Sequence, residues 1–493
     1  MNYKKIFNQL GIILLIEAVL MIIPFVMSIC YRENIRVVIA FAISMAAVSI
    51  VGALFKLNKP ERESFYAKDG YFLVALTWVL MSGFGALPFC LSGAIPNYID
   101  AFFETVSGFT TTGSTILTEI EHLPKSILFW RAFTHFIGGM GILVFVIAII
   151  PKTEGSVMHV MRAESPGPVV GKLVSKLTAS ARILYAMYCA MTFALVILLR
   201  VGGMPWFDSV TNAFATAGTG GFCALNNSIE GYGSAYIEIV ITVFMLLFGI
   251  NFNVYYLLTR GRIKEALKDE EVHWYLGIIA VAVTIITVDL TLTKHHFLDS
   301  LRTAFFQVAS IISTTGFSST DFEKWSTLSK ATLFLLMFIG SCAGSTGGGL
   351  KVSRITVLVK SGLRSVKKAF NPRSIETVKL QGKPVDEAVV QSITAYLAIY
   401  MVVMAASVFV ISIDTWKGNT LLETIGSVVT CMNNVGPAFG NIGPTGNFSE
   451  FSVLSKIVLS FDMLAGRLEL IPMFMLFTKY IIPKKERSIS NMK

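Results

Sequence analysis

Four short stretches of this chain share one pattern: Phe109-Thr-Thr-Thr-Gly113, Gly218-Thr-Gly-Gly221, Ser313-Thr-Thr-Gly316 and Asn433-Asn-Val-Gly436. Each follows an amphipathic segment, ends in glycine and lies between two long apolar runs. A single stretch of this kind is usually an ordinary turn, because glycine, asparagine and serine all favour turns. Four of them in the same context predict four walls around one axis.

The composition is that of a protein embedded in a membrane. Hydrophobic residues make up 54% of the chain and charged residues 15%, whereas a water-soluble globular protein carries about 25% charged residues. Apolar segments of about 20 residues are long enough to cross the hydrocarbon layer as helices. The predicted spans are 6–29, 35–55, 71–94, 129–150, 183–201, 236–258, 274–292, 331–350, 393–413 and 455–480.

The formal charge of +10 would suit a nucleic-acid-binding protein, but its distribution predicts membrane topology instead. Lysine and arginine cluster in alternate connections, which the positive-inside rule places in the cytoplasm together with both chain termini. The four turns then fall on the external side, and no nucleic-acid partner is expected. The basic connections are 56–68, 152–182, 260–268, 351–383 and 484–487.

The sequence lacks the spacings that catalytic and metal sites require. The six cysteines are scattered without a Cys-x-x-Cys pair, and the six histidines form neither His-x-x-x-His nor His-Glu-x-x-His. Such spacings are typical of structural zinc sites and zinc hydrolases. We therefore expect a protein that is not an enzyme and that holds no covalently bound cofactor.

Aligning the four stretches on their last glycine reveals an internal repeat. Polar residues stand thirteen and nine positions before that glycine, one helical turn apart, as Asp100 and Glu104 do before Gly113. This spacing predicts a short helix that enters the membrane, with a polar cap at its start and its negative end directed at a cation. The equivalent pairs are Asp208 and Asn212, Thr303 and Gln307, and Glu423 and Ser427.

The repeat divides the chain into a two-span N-terminal hairpin and four units of span, re-entrant helix, turn and span. Arg131, Lys330 and Lys456 each stand ten positions before a glycine, and the second unit lacks this basic residue. The predicted fold is an all-α membrane protein with four pseudo-repeats around one pore. The predicted boundaries are 1–70 for the hairpin and its loop, and 71–182, 183–273, 274–392 and 393–493 for the repeats, the last with a basic tail.

The turns have the chemistry to remove water from a monovalent cation. Backbone carbonyls can replace the oxygens of its hydration shell, glycine permits the left-handed angles that turn successive carbonyls toward one axis, and threonine adds a hydroxyl oxygen. The turns contain no ring of acidic side chains, which a calcium-type filter would need. The alternative is four ordinary external loops. The candidate potassium-binding residues are Thr111, Thr112, Gly113, Thr219, Gly220, Gly221, Thr314, Thr315, Gly316, Asn434, Val435 and Gly436.

These residues resemble the superfamily of potassium transporters that includes the TrkH, KtrB and plant HKT proteins. Gly249-Ile-Asn-Phe-Asn253 and the run from Gly340 to Lys351 extend the resemblance over nearly the whole chain. The extra N-terminal spans favour the TrkH/TrkG branch over KtrB. Gly113 favours potassium, because a serine in this place accompanies sodium preference in HKT relatives. The resemblance implies a homodimer in the bacterial cytoplasmic membrane, one pore per protomer, and a cytosolic TrkA-like nucleotide-binding ring that controls the gate.

A glycine-rich run interrupts the eighth predicted span. Each glycine in a helix interior costs about 1 kcal/mol relative to alanine, so the run should be unwound, and broken helices inside membranes mark ion paths. The alternative is close helix packing of the Gly-xxx-Gly type. The candidate gate residues here are Gly340, Gly344, Ser345, Thr346, Gly347, Gly348 and Gly349.

Arg467 in the tenth span is the other candidate gate residue. A charge at this depth is costly and faces a cavity or a partner, so one alternative is a pair with Asp462 or with another nearby carboxylate such as Glu469. The resemblance implies instead that Arg467 lies beneath the turns, against the glycine-rich loop, where its charge restrains cation flow. Glu17 in the first span and His135 in the fourth receive no role beyond pairing inside the bundle.

A dense basic segment follows the glycine-rich run. Anionic lipid headgroups and the cytosolic ring are its two candidate partners. The sequence thus predicts potassium uptake through a channel-like subunit that this ring gates, and the alternative is a proton- or sodium-coupled potassium symporter with alternating access. The basic residues are Lys351, Arg354, Lys360, Arg364, Lys367, Lys368, Arg373, Lys379 and Lys383.

Overall fold

The computed structural model describes residues 1–58, 66–141, 177–293, 296–373, 376–414 and 420–477. Regular structure in these ranges is almost entirely helical, as predicted, with one small antiparallel hairpin of β1 (Lys379–Leu380) and β2 (Lys383–Pro384). The α-helices are α1 (Tyr3–Leu20), α2 (Ile22–Cys30), α3 (Ile35–Lys56), α4 (Ala67–Gly85), α5 (Leu87–Ser92), α6 (Tyr98–Phe109), α7 (Lys125–Gly139), α8 (Leu177–Val201), α9 (Trp206–Gly218), α10 (Ala235–Phe248), α11 (Phe252–Thr259), α12 (Ile263–Ala266), α13 (Glu270–Leu292), α14 (Phe297–Ile312), α15 (Thr327–Met337), α16 (Val352–Phe370), α17 (Glu387–Ser412), α18 (Leu421–Asn433), α19 (Val453–Leu468) and α20 (Leu470–Met475). Short 3-10 helices are Ser228–Tyr232, Phe322–Lys324 and Gly440–Ile442.

Six of the ten predicted spans are present as helices long and apolar enough to cross a membrane. Their hydrophobic residues are partly exposed on the outside of the bundle, as expected for surfaces that face lipid. The chain is therefore a multi-pass membrane protein. The six spans are Tyr3–Cys30, Ile35–Lys56, Ala67–Ser92, Ser180–Val201, Glu270–Leu292 and Glu387–Ser412.

The predicted span 236–258 is broken. Helices α10 and α11 meet at an angle of 92°, so the predicted span is divided between two helices. Asn251 explains the break, because its side chain accepts a hydrogen bond from the amide of Asn253 at 2.9 Å and thereby starts a new helix. The predicted interruption of span 331–350 is present, since residues 338–351 are not helical.

The predicted span 455–480 is also divided between two helices. Glu469 separates α19 from α20 with a φ of 65°, a left-handed conformation that a helix cannot contain. The remaining span, predicted over 129–150, is helical as far as Gly139. Residues 142–150 lie outside the described part of the chain, as do residues 478–480 and most of the basic connections 152–182 and 484–487.

Three helices at the N-terminus stand beside the rest of the bundle. Gly11 of α1 and Gly52 of α3 let these two backbones approach closely, because a Cβ on Gly11 would lie 2.5 Å from the Gly52 carbonyl oxygen. The carboxylate of Glu33 accepts a hydrogen bond from the amide of Ser126 at 2.9 Å. This bond attaches the hairpin to the first residues of α7.

Four short helices, α6, α9, α14 and α18, lead into the four glycine-ended stretches. Asp100 and Asp208 lie in the first turns of α6 and α9, and Glu423 caps α18, as predicted. Thr303 does not cap its helix, because α14 begins at Phe297 and Thr303 lies in its middle. The prediction assumed helices of similar length, but α14 has 16 residues and therefore begins earlier, whereas the other three helices have 12 or 13.

Candidate ion pathway

The four stretches form turns with the same backbone geometry. In each, the amide of the middle residue donates to the carbonyl five residues earlier, as Thr112 does to Ser107 at 2.9 Å, and the other three distances are 2.8–3.0 Å. This is the hydrogen bond of a Schellman helix end. We call them turn 1 (residues 111–113), turn 2 (219–221), turn 3 (314–316) and turn 4 (434–436).

The first residue of every turn is left-handed, which the sequence analysis did not foresee. The last residues were expected to have positive φ and do, at 78–104°. The first residues have φ of 55–59° although none is glycine, and such a conformation costs about 1–2 kcal/mol for a residue with a side chain. Strain of this kind persists where the surroundings enforce it, often at functional sites. The four residues are Thr111, Thr219, Thr314 and Asn434.

The four turns close into a ring. A Cβ added to Gly113 of turn 1 would lie 2.2 Å from the carbonyl oxygen of Gly220 in turn 2. At each of the other three turns, a Cβ added to the terminal glycine would likewise lie close to the carbonyl oxygen of the middle residue in the next turn. The other three distances are 2.1 Å from Gly221 to Thr315, 2.2 Å from Gly316 to Val435 and 2.8 Å from Gly436 back to Thr112. The four turns therefore surround one axis in chain order.

The turns are buried and carry no charged side chain. The side chains of Thr112, Thr315 and Val435 are fully buried, as are those of the four left-handed residues. A cavity of about 100 Å³ is lined by the four terminal glycines and by the segments that follow them. The cavity therefore adjoins the ring at its four terminal glycines.

A buried ion pair supports turn 1 from behind. Glu104 accepts hydrogen bonds from Arg131 at 2.6 Å and from the amide of Ile116 at 3.0 Å, so it joins α6 to α7 and to the chain leaving the turn. In the third unit, Gln307 donates to Ser318 at 3.3 Å in the same way. In these two units the polar residue nine positions before the glycine thus fastens the chain after the turn.

His135 connects the first and second units behind the ring. Its Nδ1 lies 2.7 Å from the Gly108 carbonyl, and its Nε2 accepts a hydrogen bond from the amide of Phe222 at 3.3 Å. A Cβ on Gly220 would lie 2.4 Å from the imidazole. The imidazole therefore fills the space behind turn 2, which extends the pairing that the sequence analysis expected.

Residues 338–351, which we call the glycine loop, lie directly against turns 3 and 4. The amide of Gly348 donates to the Thr314 hydroxyl at 2.7 Å, and a Cβ on Gly348 would lie 2.9 Å from the Asn433 carbonyl. The amide of Gly340 donates to Leu350 at 2.7 Å and closes the neck of the loop. The loop contains all seven predicted gate residues of the third unit.

Arg467 links this loop to the first unit. Its guanidinium donates to the carbonyl of Thr346 at 2.7 Å and to the carbonyls of Gly138 and Gly139, both at 2.7 Å. Asp462, considered as its partner, accepts a hydrogen bond from Ser407 at 2.8 Å. Arg467 thus contacts the glycine loop, the position that the resemblance implied.

The basic segment is less exposed than predicted. Lys351 is 1% exposed and Arg354 is 7% exposed, so neither can bind lipid or a partner. Lys351 donates to the Gly347 carbonyl inside the glycine loop, and Arg354 pairs with Glu469. These two cations therefore belong to the surroundings of the loop.

Two more basic side chains of the segment lie on α16 and pair with carboxylates of other helices. Lys360 pairs with Glu270, and Arg364 donates to Glu387 at 2.7 Å. Lys367 and Lys368 are exposed. A row of apolar side chains is exposed on the same helix, at Val359, Leu363, Val366 and Phe370.

Glu17 lacks the partner that the sequence analysis expected. It is fully buried, and within the described residues neither carboxylate oxygen has a hydrogen bond. A Cβ on Gly85 would lie 3.3 Å from Oε1 of Glu17 and 2.9 Å from Thr105, so the side chain lies behind α6.

Comparison with known proteins identifies the family and the fold of the chain. The family model TrkH, described as a cation transport protein, matches residues 35–487. The Trk system potassium uptake protein TrkH of Salmonella typhimurium is 34% identical over 488 residues, which cover 97% of this chain and 99% of the relative. TrkG of Escherichia coli (strain K12), also named a Trk system potassium uptake protein, is 28% identical over 97% of this chain and 98% of its own. The crystal structure of the potassium transporter TrkH from Vibrio parahaemolyticus matches with a TM-score of 0.85 and 29% identity, covering 97% of this chain and 99% of that one.

The fold and the comparisons together define a multi-pass membrane protein of the cation-transporter class. The chain belongs to the TrkH family of cation transport proteins. The resemblance found in the sequence is thereby confirmed, and so is the prediction that the protein is not an enzyme.

Proposed function

We propose that this protein takes up potassium ions across the bacterial cytoplasmic membrane and that turns 1 to 4 bind the ion. The closed ring of glycine-to-carbonyl approaches carries this proposal. Four buried, uncharged turns offer main-chain oxygens around one axis, which is the arrangement that replaces the hydration shell of a monovalent cation. The C-terminal ends of α6, α9, α14 and α18 lead into the ring and bring the negative ends of their dipoles toward it.

The glycine loop is the gate of this pathway. It contacts turns 3 and 4 through Gly348, and Arg467 holds it through Thr346. The positive charge of Arg467 beneath the ring opposes the passage of a cation. An ion would pass the ring from outside and reach the cytoplasm when the loop moves aside.

The partners are those that the resemblance implies: a second copy of the chain, membrane lipids and a cytosolic TrkA-like nucleotide-binding ring. The turns face outward and both termini are cytoplasmic, since the basic connections follow the positive-inside rule. The cytosolic nucleotide-binding ring docks near α16, because this helix continues directly from the glycine loop and exposes Lys367, Lys368 and its apolar row.

Rubidium uptake into liposomes that contain the purified protein tests the proposal. Potassium and rubidium should compete with each other, and sodium should compete weakly. A membrane potential alone should drive uptake, since it supplies about 2.3 kcal/mol per charge for each 100 mV. Uptake that requires an equal flow of protons or sodium would instead support the coupled symporter, and unselective or absent uptake would contradict the proposal.

A further inference from the structure

One carboxylate joins the first half of the glycine loop to the helix that follows the loop. Glu271, the second residue of α13, is 5% exposed, and the sequence analysis assigned it no role. Its Oε1 accepts hydrogen bonds from the amide of Ala343 at 2.8 Å and from the amide of Ser353 at 2.9 Å. Ala343 lies in the first half of the loop and Ser353 lies just after its end. A single oxygen of α13 therefore binds both the loop and the start of α16, which follows it.

Besides Arg467 and the Thr314 hydroxyl, backbone bonds between neutral groups attach the loop to its neighbours. The amide of Cys342 donates to Gly249 at 3.0 Å, and the amide of Phe252 donates to Gly344 at 3.1 Å. Hydrogen bonds to a carboxylate are roughly twice as strong as neutral ones. Glu271 thus contributes a larger share of the attachment than the number of its bonds suggests.

Glu271 also supplies negative charge beside a positive loop. Lys351 is buried and donates to Gly347 within the loop. The charge of Glu271 favours the Lys351 ammonium, whereas the charge of Arg467 opposes it. A buried cation without such a counter-charge would be costly. The carboxylate therefore stabilises both the backbone and the charge of the closed loop.

We propose that Glu271 is a positioning residue that keeps the glycine loop closed beneath the turns, and that release of its two hydrogen bonds accompanies opening. The inference rests on the proposed function, since it takes the loop as the gate. Glu271 does not touch the ion in this account and acts only through the loop.

Native cysteines provide the test in the full-length protein reconstituted in liposomes. Cys342 lies in the glycine loop, whereas Cys223 and Cys431 lie beside the turns, and all three are free and buried. In Glu271→Ala, a membrane-permeant maleimide should label Cys342 about tenfold faster or more, because both hydrogen bonds to the carboxylate are lost and even one such bond corresponds to about tenfold. Peptide mass spectrometry measures the labelling, and Cys223 and Cys431 should stay protected.

Two further variants sharpen the test. Glu271→Gln keeps an oxygen that can accept both bonds but removes the charge, so its Cys342 labelling should lie between wild type and Glu271→Ala. Glu270→Ala is the matched control, because the adjacent carboxylate binds Lys360 and the amide of Gln381 outside the loop. It should label as the wild type does.

Unchanged labelling of Cys342 in Glu271→Ala would overturn the inference. Equal gains at all three cysteines would also overturn it, because they would show a general loss of structure. Rubidium uptake by the same liposomes separates this inference from the proposed function. Faster Cys342 labelling with increased uptake supports both, whereas faster labelling with unchanged uptake supports the attachment and contradicts the role of the loop as gate.

Discussion

Arg467 donates a 2.7 Å hydrogen bond to the carbonyl oxygen of Thr346 in the glycine loop. The same guanidinium reaches the carbonyls of Gly138 and Gly139 at the end of α7. One side chain of the fourth unit therefore joins the loop of the third unit to the first unit. In the proposed pathway the guanidinium of Arg467 both holds the loop and repels the transported ion.

Arg467→Ala should raise the basal uptake of rubidium about tenfold or more, because removing a charge near the path lowers an electrostatic barrier of a few kcal/mol. Arg467→Lys is the matched control. It keeps the charge but lacks the planar guanidinium that reaches three carbonyls, so its uptake should lie between those of wild type and Arg467→Ala. Unchanged uptake in Arg467→Ala would remove Arg467 from the gate.

The ring geometry predicts a graded effect of alanine at its glycines. A Cβ on Gly221 would lie 2.1 Å from the Thr315 oxygen, whereas a Cβ on Gly436 would lie 2.8 Å from the Thr112 oxygen. Gly221→Ala should therefore abolish rubidium uptake, and Gly436→Ala should retain more of it.

Gly233→Ala is the control for these two variants. Gly233 also has positive φ, at 58°, but nothing lies within 4 Å of its added Cβ, so this substitution carries the backbone strain of about 1–2 kcal/mol without the collision. Equal uptake by all three variants would show that the close approach around the ring is unimportant.

The buried pair of Arg131 and Glu104 should be essential for stability. Arg131→Met leaves the Glu104 carboxylate buried without its cation, a change that costs about 3–5 kcal/mol. Thermal unfolding in detergent measures the loss. Arg262→Met is the control, since its pair with Glu265 is about half exposed on both sides, and such pairs contribute about 0–1 kcal/mol. Similar losses in the two variants would contradict the importance of burial.

Glu17→Gln should leave the free energy of unfolding unchanged or raise it, because the substitution removes an ionisable group and breaks no hydrogen bond within the described residues. Thermal unfolding again provides the measurement. Glu33→Gln should have the opposite effect, since the Glu33 carboxylate accepts bonds from the amide and hydroxyl of Ser126. Equal destabilisation by the two substitutions would show that Glu17 has a partner.

Local features of this fold could be predicted from the sequence. Glycine and threonine at the ends of amphipathic segments indicate turns, and a dense run of glycines indicates an unwound helix, because both depend on neighbouring residues alone. The repeat also located Glu104, whose partners became visible only in the structure. Gly249-Ile-Asn251 contained a signal for the break between α10 and α11, since asparagine caps helices.

Relationships between distant segments could not be predicted in this way. The sequence does not reveal that Lys351 turns into the loop or that Glu271 binds the amides of Ala343 and Ser353, because such contacts depend on how the units pack. A positive-inside count treats Lys351 as one more cytoplasmic charge. The left-handed Thr219 was also missed, because threonine usually avoids this conformation at a helix end.

Anomalous diffraction from crystals soaked in rubidium shows whether the four turns jointly bind the transported ion. We expect a rubidium peak on the common axis, enclosed by the carbonyl oxygens of Thr112, Gly220, Thr315 and Val435. A protein active in uptake whose crystals show rubidium elsewhere, or turns that are splayed apart, would contradict it.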